Sequence, residues 1–227
     1  MKVHSKRYRA LGEGIVDPLK AYPVAEAVAL VKKGATAKFV ESIDISIKLD
    51  IDTKQSDQLV RGSFALPHGT GKSRRVVAFA EGADAQAAKD AGAMEVGSAE
   101  LVDKIQKGWL DFDVAVAHPS MMKHVGKLGK VLGPKGLMPS PKSGTVADDV
   151  VKAVREFVGG KLEYRNDAHG NVCVCVGNAK FSEKDLAENV EAFVAHIRAI
   201  RPAAVKGIYF AGATLSSTMG RGFKLAL

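Results

Sequence analysis

His68-Gly69-Thr70-Gly71-Lys72-Ser73 is the stretch of this 227-residue chain that comes nearest to a phosphate loop. Such a loop cradles an anion with backbone N–H groups. It needs a glycine five positions ahead of the Gly-Lys pair, and a helix whose N-terminus faces the phosphate. Leu66 holds the glycine's position here, and Arg74 and Arg75 lead straight into an apolar, strand-like run. Nucleotide binding therefore lacks both its first glycine and its helix. His169, Cys173 and Cys175 are metal-ligand types, but structural zinc uses a complete tetrahedral set with a turn-borne pair. The two cysteines instead alternate with Val172, Val174 and Val176, which puts both on one face of a strand as small side chains. No Ser/His/Asp order, paired carboxylates or metal-binding helix stands out, and His118 and His124 read as capping or surface residues. The residues predict no catalytic group, no metal and no cofactor.

Polyanion binding is the chemistry that survives. Lys and Arg number 33 against 25 Asp and Glu, a net charge of +8 that favours a polyanionic partner. The charge is uneven: residues 68–158 hold 13 basic against 11 acidic side chains, so +6 belongs to the rest of the chain. Residues 4–11 interleave His4, Lys6, Arg7 and Arg9 with Tyr8, the pattern of a short basic helix or arm. A second basic element is GKLGKVLGPKGLMPSPKSGTV, from Gly126 to Val146, with five glycines, three prolines and four lysines, inside a span without acids from Val114 to Ala147. Glycine and proline at this density predict a shaped loop rather than a regular helix or a central strand. Its lysines either face an anion or are simply solvated. Two cysteines cannot make a disulfide framework, and no apolar run approaches membrane-spanning length, which suits a cytoplasmic protein.

The elements that must carry these groups fall into two styles. Ala25–Val31 reads as a helix that starts after Pro23 and ends at Gly34. Ile43, Ile45, Ile47, Leu49 and Ile51 alternate with polar residues, the period of a half-buried strand. Val60–Leu66 is a further strand, and Pro67–Lys72 reads as a hinge. Val76–Ala80 and Val114–Ala117 are instead continuous apolar runs, as in strands covered on both faces. Helix signals at Asp84–Ala91 and Ser98–Lys107 lie between them, and Ala147–Phe157 follows the glycine-rich stretch, so this part alternates β and α. After Gly159-Gly160 the first style returns. Strands 162–165 and 172–176 flank an NDAHGN turn, Ser182 caps a helix with an apolar stripe from Leu186 to Ile197, and a strand runs over 208–215 into Ser216-Ser217-Thr218-Met219-Gly220.

The order of several segments goes further. KRYRAL at 6–11, TAKFVESIDISIKLDID at 36–52, SDQLVRGSFALPHGTGK at 56–72, the glycine-rich stretch, EYRND at 163–167 and STMG at 217–220 together resemble the family of large-subunit ribosomal protein one, bacterial type, over nearly the whole chain. The resemblance implies an α/β and α+β protein of two domains. An RNA-binding α+β domain comes from both termini (1–67 and 159–227), with a Rossmann-like α/β domain inserted at 68–158. It implies no enzyme. It implies a structural constituent of the large ribosomal subunit that binds large-subunit ribosomal RNA at a mobile stalk, assists release of deacylated transfer RNA from the exit site, and represses translation by binding its own messenger RNA.

The implied RNA surface combines His4, Lys6, Arg7, Lys38, Phe39, Ser42, Arg165, Asp167, Thr218, Met219 and Gly220. Thr218 and free backbone groups would pair with ribose 2′-OH groups or base edges, with Phe39 and Met219 as apolar surface. Lys38 and Arg165 would meet phosphates, and Asp167 a 2′-OH. Lys127, Lys130 and Lys135 would form a secondary face toward RNA or transfer RNA. The chain departs from the family at Cys173 and Cys175, where His and Pro are common, and at Arg221, which adds a cation after the triad. Two alternatives stay open: a nucleotide-dependent enzyme on the β/α part, and an RNA-binding regulator outside the ribosome.

Overall fold

The computed structural model describes residues 5–12 and 20–226. The chain divides into two compact units. One takes the chain up to residue 60, residues 66–71 and the chain from residue 164 onward; the other takes residues 61–65 and 72–163. The chain thus crosses between units at 60/61, 65/66, 71/72 and 163/164, where the sequence suggests 67/68 and 158/159. The extra crossings arise because strand Arg61–Ala65 pairs with strand Lys161–Arg165 in a two-stranded sheet and goes with the second unit.

The first unit is built on a five-stranded sheet. Its order is Ala21–Tyr22, Gly222–Leu225, Phe210–Ser217, Ser42–Leu49, Asn171–Asn178, antiparallel except for the first pair. The period of two in strand Ser42–Leu49 sets the layers. Ile43, Ile45, Ile47 and Leu49 are fully buried, while Ser46 and Lys48 are exposed. Helices Val24–Gly34 and Glu183–Ala199 bury Val28, Val31, Leu186, Val190 and Phe193. Each fully buried side chain of this size contributes about 1.5–3 kcal/mol. Ser182 caps the longer helix as its spacing predicts, accepting the Asp185 N–H at 3.1 Å. Pro67–Gly71 belongs to this unit, and the 71/72 crossing falls inside the stretch Pro67–Lys72 that the sequence marks as a hinge. The buried Asn189 side chain accepts the His68 N–H at 3.1 Å and donates to the carbonyls of Gly69 (3.1 Å) and Val176 (2.9 Å).

The second unit holds a parallel three-stranded sheet, ordered Glu95–Gly97, Val76–Phe79, Val114–Ala117. Its continuous apolar runs are explained by cover on both faces. Val77, Phe79, Ala115 and Ala117 pack with helix Ala99–Gln106 and with Val125, Leu128 and Leu132. Val76, Ala78, Val114 and Val116 pack with Ala88 of helix Ala83–Asp90 and with Val150, Val154 and Phe157 of helix Val150–Val158. That last helix starts later than its sequence signal because Val146 bridges Ala117 and the Ala147 N–H donates to the Ala117 carbonyl.

The glycine-rich stretch corrects one expectation. It opens as helical turns, Gly126–Leu128 and Gly129–Leu132, continuing from Met122–Val125. The spacing of Val125, Leu128 and Leu132 gives these turns one apolar stripe, and all three are fully buried. Gly133 ends the run tightly: a Cβ there would lie 2.5 Å from the Gly129 carbonyl oxygen. Beyond it Gly136 and Gly144 take φ of 71° and 65°, the left-handed region that glycine occupies without strain.

Candidate nucleic-acid interface

Two segments far apart in sequence meet at one end of the five-stranded sheet. Ile43 and Ser217 are the last residues paired between their strands there. Beyond them the Thr218 N–H donates to the Ser42 carbonyl at 3.0 Å, and the Thr218 Oγ1 accepts the Ser42 N–H at 3.0 Å. The same hydroxyl donates back to the Ser42 carbonyl at 3.3 Å. The hydroxyl proton is therefore used within the protein; toward a ligand, Thr218 Oγ1 can still accept. The turn closes with the Gly220 N–H on the Ser217 carbonyl at 3.2 Å, and a Cβ on Gly220 would come within 2.3 Å of Ser217 Oγ. Phe39, Val40 and Met219 project from these two segments with 54%, 46% and 49% of their surface exposed, and Lys38 is exposed beside them. Exposed apolar side chains with a nearby cation suit the sugar and base surfaces of RNA.

Glu41 ties this end together, and no sequence signal singles it out. It is only 1% exposed. Its Oε1 accepts the Ala37 N–H and its Oε2 the Met219 N–H, each at 3.0 Å. Burial pushes its pKa up, but the N–H donors of Ala37 and Met219 and the nearby Arg7 guanidinium outweigh it, so the carboxyl titrates below its ordinary value.

Helix Lys6–Ala10 brings the basic arm to the same place. Arg7 donates to the Met219 carbonyl at 2.7 Å and to Thr36 Oγ1 at 3.5 Å, which engages it with the protein itself. The Arg221 guanidinium stacks 4.9 Å from the Tyr8 ring centre, which gives the cation after the triad a structural partner. Lys6 is exposed. His4 lies outside the described residues.

Arg165 and Asp167 stand elsewhere. The turn that holds Asp167 lies against the opposite end of strand Ser42–Leu49, where the Leu49 N–H donates to the Gly170 carbonyl at 2.9 Å, and Arg165 ends the strand Lys161–Arg165 that precedes it. Seven residue steps of strand separate the two ends by about 23 Å. Asp167 is occupied in its own turn, accepting the N–H groups of His169 (2.8 Å) and Asn171 (2.7 Å) and the Asn171 side-chain amide (2.9 Å). The two Asn171 bonds are the main cause of its low pKa, about 2. Arg165 is exposed.

Between the two ends runs the sheet face that the helices leave open. Asp44 sits between Cys175 and Ser216, and Ser46 between Cys173 and Thr214. Ser46 Oγ and Cys173 Sγ are 3.3 Å apart. The period of two marks these positions as polar, yet not as neighbours of Thr218, because strand order is a tertiary property. Among the described residues no three His, Cys, Asp or Glu side chains are grouped to hold a metal ion. In the second unit Lys127, Lys130 and Lys135 are all exposed, the first two on the helical turns whose other side is buried.

A family model described as Ribosomal protein L1p/L10e family matches residues 31–221. A Fervidobacterium nodosum protein named large ribosomal subunit protein uL1 is 52% identical over 228 residues, which cover 100% of this chain and 97% of its own length. Proteins of the same name from Thermosipho melanesiensis and Cutibacterium acnes are 50% and 51% identical, over 99% and 97% of this chain and 97% and 95% of their own lengths.

Proposed function

The chain belongs to the Ribosomal protein L1p/L10e family, and from that membership we propose that it acts as an RNA-binding constituent of the large ribosomal subunit in the cytoplasm. It is a structural protein rather than an enzyme. The RNA target is large-subunit ribosomal RNA at a mobile stalk. The contact surface is the sheet end that carries Lys38, Phe39, Ser42, Thr218, Met219 and Gly220. The observation that carries this is the Ser42–Thr218 junction, which unites two segments that expose apolar side chains beside a cation. Proteins seldom expose such side chains together without a partner for them. Asp44, Ser216 and Lys48 extend the surface along the open sheet face.

The finer roles follow from the same chemistry. An RNA hairpin of similar shape in the protein's own messenger RNA would bind the same surface and repress translation. Lys127, Lys130 and Lys135 would face transfer RNA leaving the exit site. Crosslinking in cells followed by sequencing of the attached RNA tests all three. The expected result is one dominant segment of large-subunit ribosomal RNA, a second site in the leader of the protein's own message, and transfer RNA attached through the second unit. Reads spread over many messages without that ribosomal segment would favour a regulator outside the ribosome and reject this reading.

A further inference from the structure

Met219 is held by its peptide groups rather than by its side chain. Its N–H donates to the buried Glu41 carboxylate at 3.0 Å, and its carbonyl accepts from Arg7 at 2.7 Å. The residue lies beyond the last strand pair, in a short turn where Thr218 and Met219 are exposed. Turns of this kind open readily unless something ties them down. The tie is unusual in its reach. Glu41 connects the Met219 N–H with the Ala37 N–H, and Arg7 connects the Met219 carbonyl with Thr36. One small cluster therefore fixes the arm, the 36–42 segment and the 217–220 turn in one arrangement.

We propose that Glu41 and Arg7 are positioning residues that clamp the Met219 peptide from both sides and so preset the turn for RNA, without touching RNA themselves. The inference rests on the reading of this turn as part of the RNA surface. A surface already in its bound shape spends less of its interaction energy on ordering. A carboxylate is the right group for the inner side of the clamp: it only accepts, and its two oxygens serve two separate N–H groups. A glutamine of the same shape has one acceptor oxygen, and its amide would point donors at a donor. Burial of Glu41 also keeps its negative charge away from phosphates. The outer side needs a donor, which Arg7 supplies. This changes the role that the sequence suggests for Arg7, from a member of the RNA surface to an internal brace.

The test uses the full chain with Glu41→Gln and Arg7→Ala, and full-length large-subunit ribosomal RNA as the probe. Affinity is measured over a series of salt concentrations, and thermal unfolding is followed in parallel. Each variant is expected to lose about tenfold in affinity with an unchanged salt slope, and the double variant to lose clearly less than the product of the two. Amide exchange supplies a readout independent of RNA: the Met219 N–H should exchange at least about tenfold faster in Glu41→Gln, while the strand amides of Ile45 and Ile47 keep their protection. Wild-type affinity in Glu41→Gln would overturn the proposal. So would a loss in Arg7→Ala accompanied by a salt slope lower by about one phosphate contact, the signature of a direct contact. If Glu41→Gln fails to fold, Arg7→Ala decides alone, since its side chain is on the surface arm. Should the wild-type chain show no preference for ribosomal RNA over unrelated RNA, the reading of the surface falls. The exchange of Met219 then still decides whether the clamp exists.

Discussion

Ser42 and Thr218 lie 176 residues apart, yet the Thr218 hydroxyl and main chain together complete a strand-like pairing with the Ser42 peptide. The hydroxyl does what a backbone carbonyl would do in a longer ladder, which lets the second segment leave the sheet and turn. Thr218→Val keeps the shape but leaves the Ser42 N–H facing a methyl group. It should cost about 1 kcal/mol of stability, measured by denaturant unfolding. It should also weaken RNA binding more than Lys38→Ala does at high salt, because phosphate contacts fade as salt rises while a fixed turn does not. Equal losses with the same salt slope would reject the distinction.

RNA affinity should reside in the first unit. Replacing residues 72–160 by a short Gly/Ser linker keeps strands Arg61–Ala65 and Lys161–Arg165 in the chain, so their sheet can still form. This shortened protein should bind ribosomal RNA nearly as well as the whole chain. Stronger binding by the isolated second unit, in the same gel-shift or filter assay, would reverse the assignment.

The two sides of the glycine-rich stretch should respond oppositely to substitution. Leu128 is fully buried, and Leu128→Ala should cost about 2–5 kcal/mol of stability, visible in thermal unfolding. Replacing the exposed Lys127, Lys130 and Lys135 together by Gln should move stability by less than about 0.5 kcal/mol per site and leave affinity for isolated RNA unchanged. It should slow departure of transfer RNA from the exit site on ribosomes that contain the variant. Unchanged departure kinetics would mean that these lysines are merely solvated.

Two surface pairs should titrate in opposite directions. His68 Nε2 lies 2.6 Å from Glu188, and that hydrogen bond, with the charges of Asp185 and Glu188, raises its pKa above 6.5. A group raised on folding stabilises the protein fully below its unfolded value, and that contribution is lost as pH rises through the folded pKa. Asp167 is held down at about 2 by Asn171 and His169, so its contribution is present above its ordinary 3.8 and is lost as pH falls through about 2. NMR titration should show His68 moving down in Glu188→Gln and Asp167 moving up in Asn171→Ala. A His68 that titrates at its ordinary value in the wild-type protein would remove the first pair.

The sequence by itself determined the elements and their faces. Alternation through Ile43, Ile45, Ile47 and Leu49 decided which side of that strand enters the core, because neighbouring side chains on a strand point to opposite faces. The continuous runs Val76–Phe79 and Val114–Ala117 announced a sheet covered on both sides. Family membership was legible too, since it rests on the order of segments along the chain. Tertiary structure alone decided what those segments do to one another. Glu41 has no periodic or compositional mark as an organiser; it becomes one only when residue 219 is folded against residue 37. Arg7 and Arg165 look alike in sequence as cations beside aromatic or polar residues, yet one is hydrogen-bonded to the Met219 turn while the other ends strand Lys161–Arg165, in a different sheet. Helical turns replaced the expected loop after Gly126 because three buried apolar side chains outweighed glycine's preference for disorder. In each case the deciding energy comes from groups distant in the chain, and their approach is set by strand order and packing rather than by local preference.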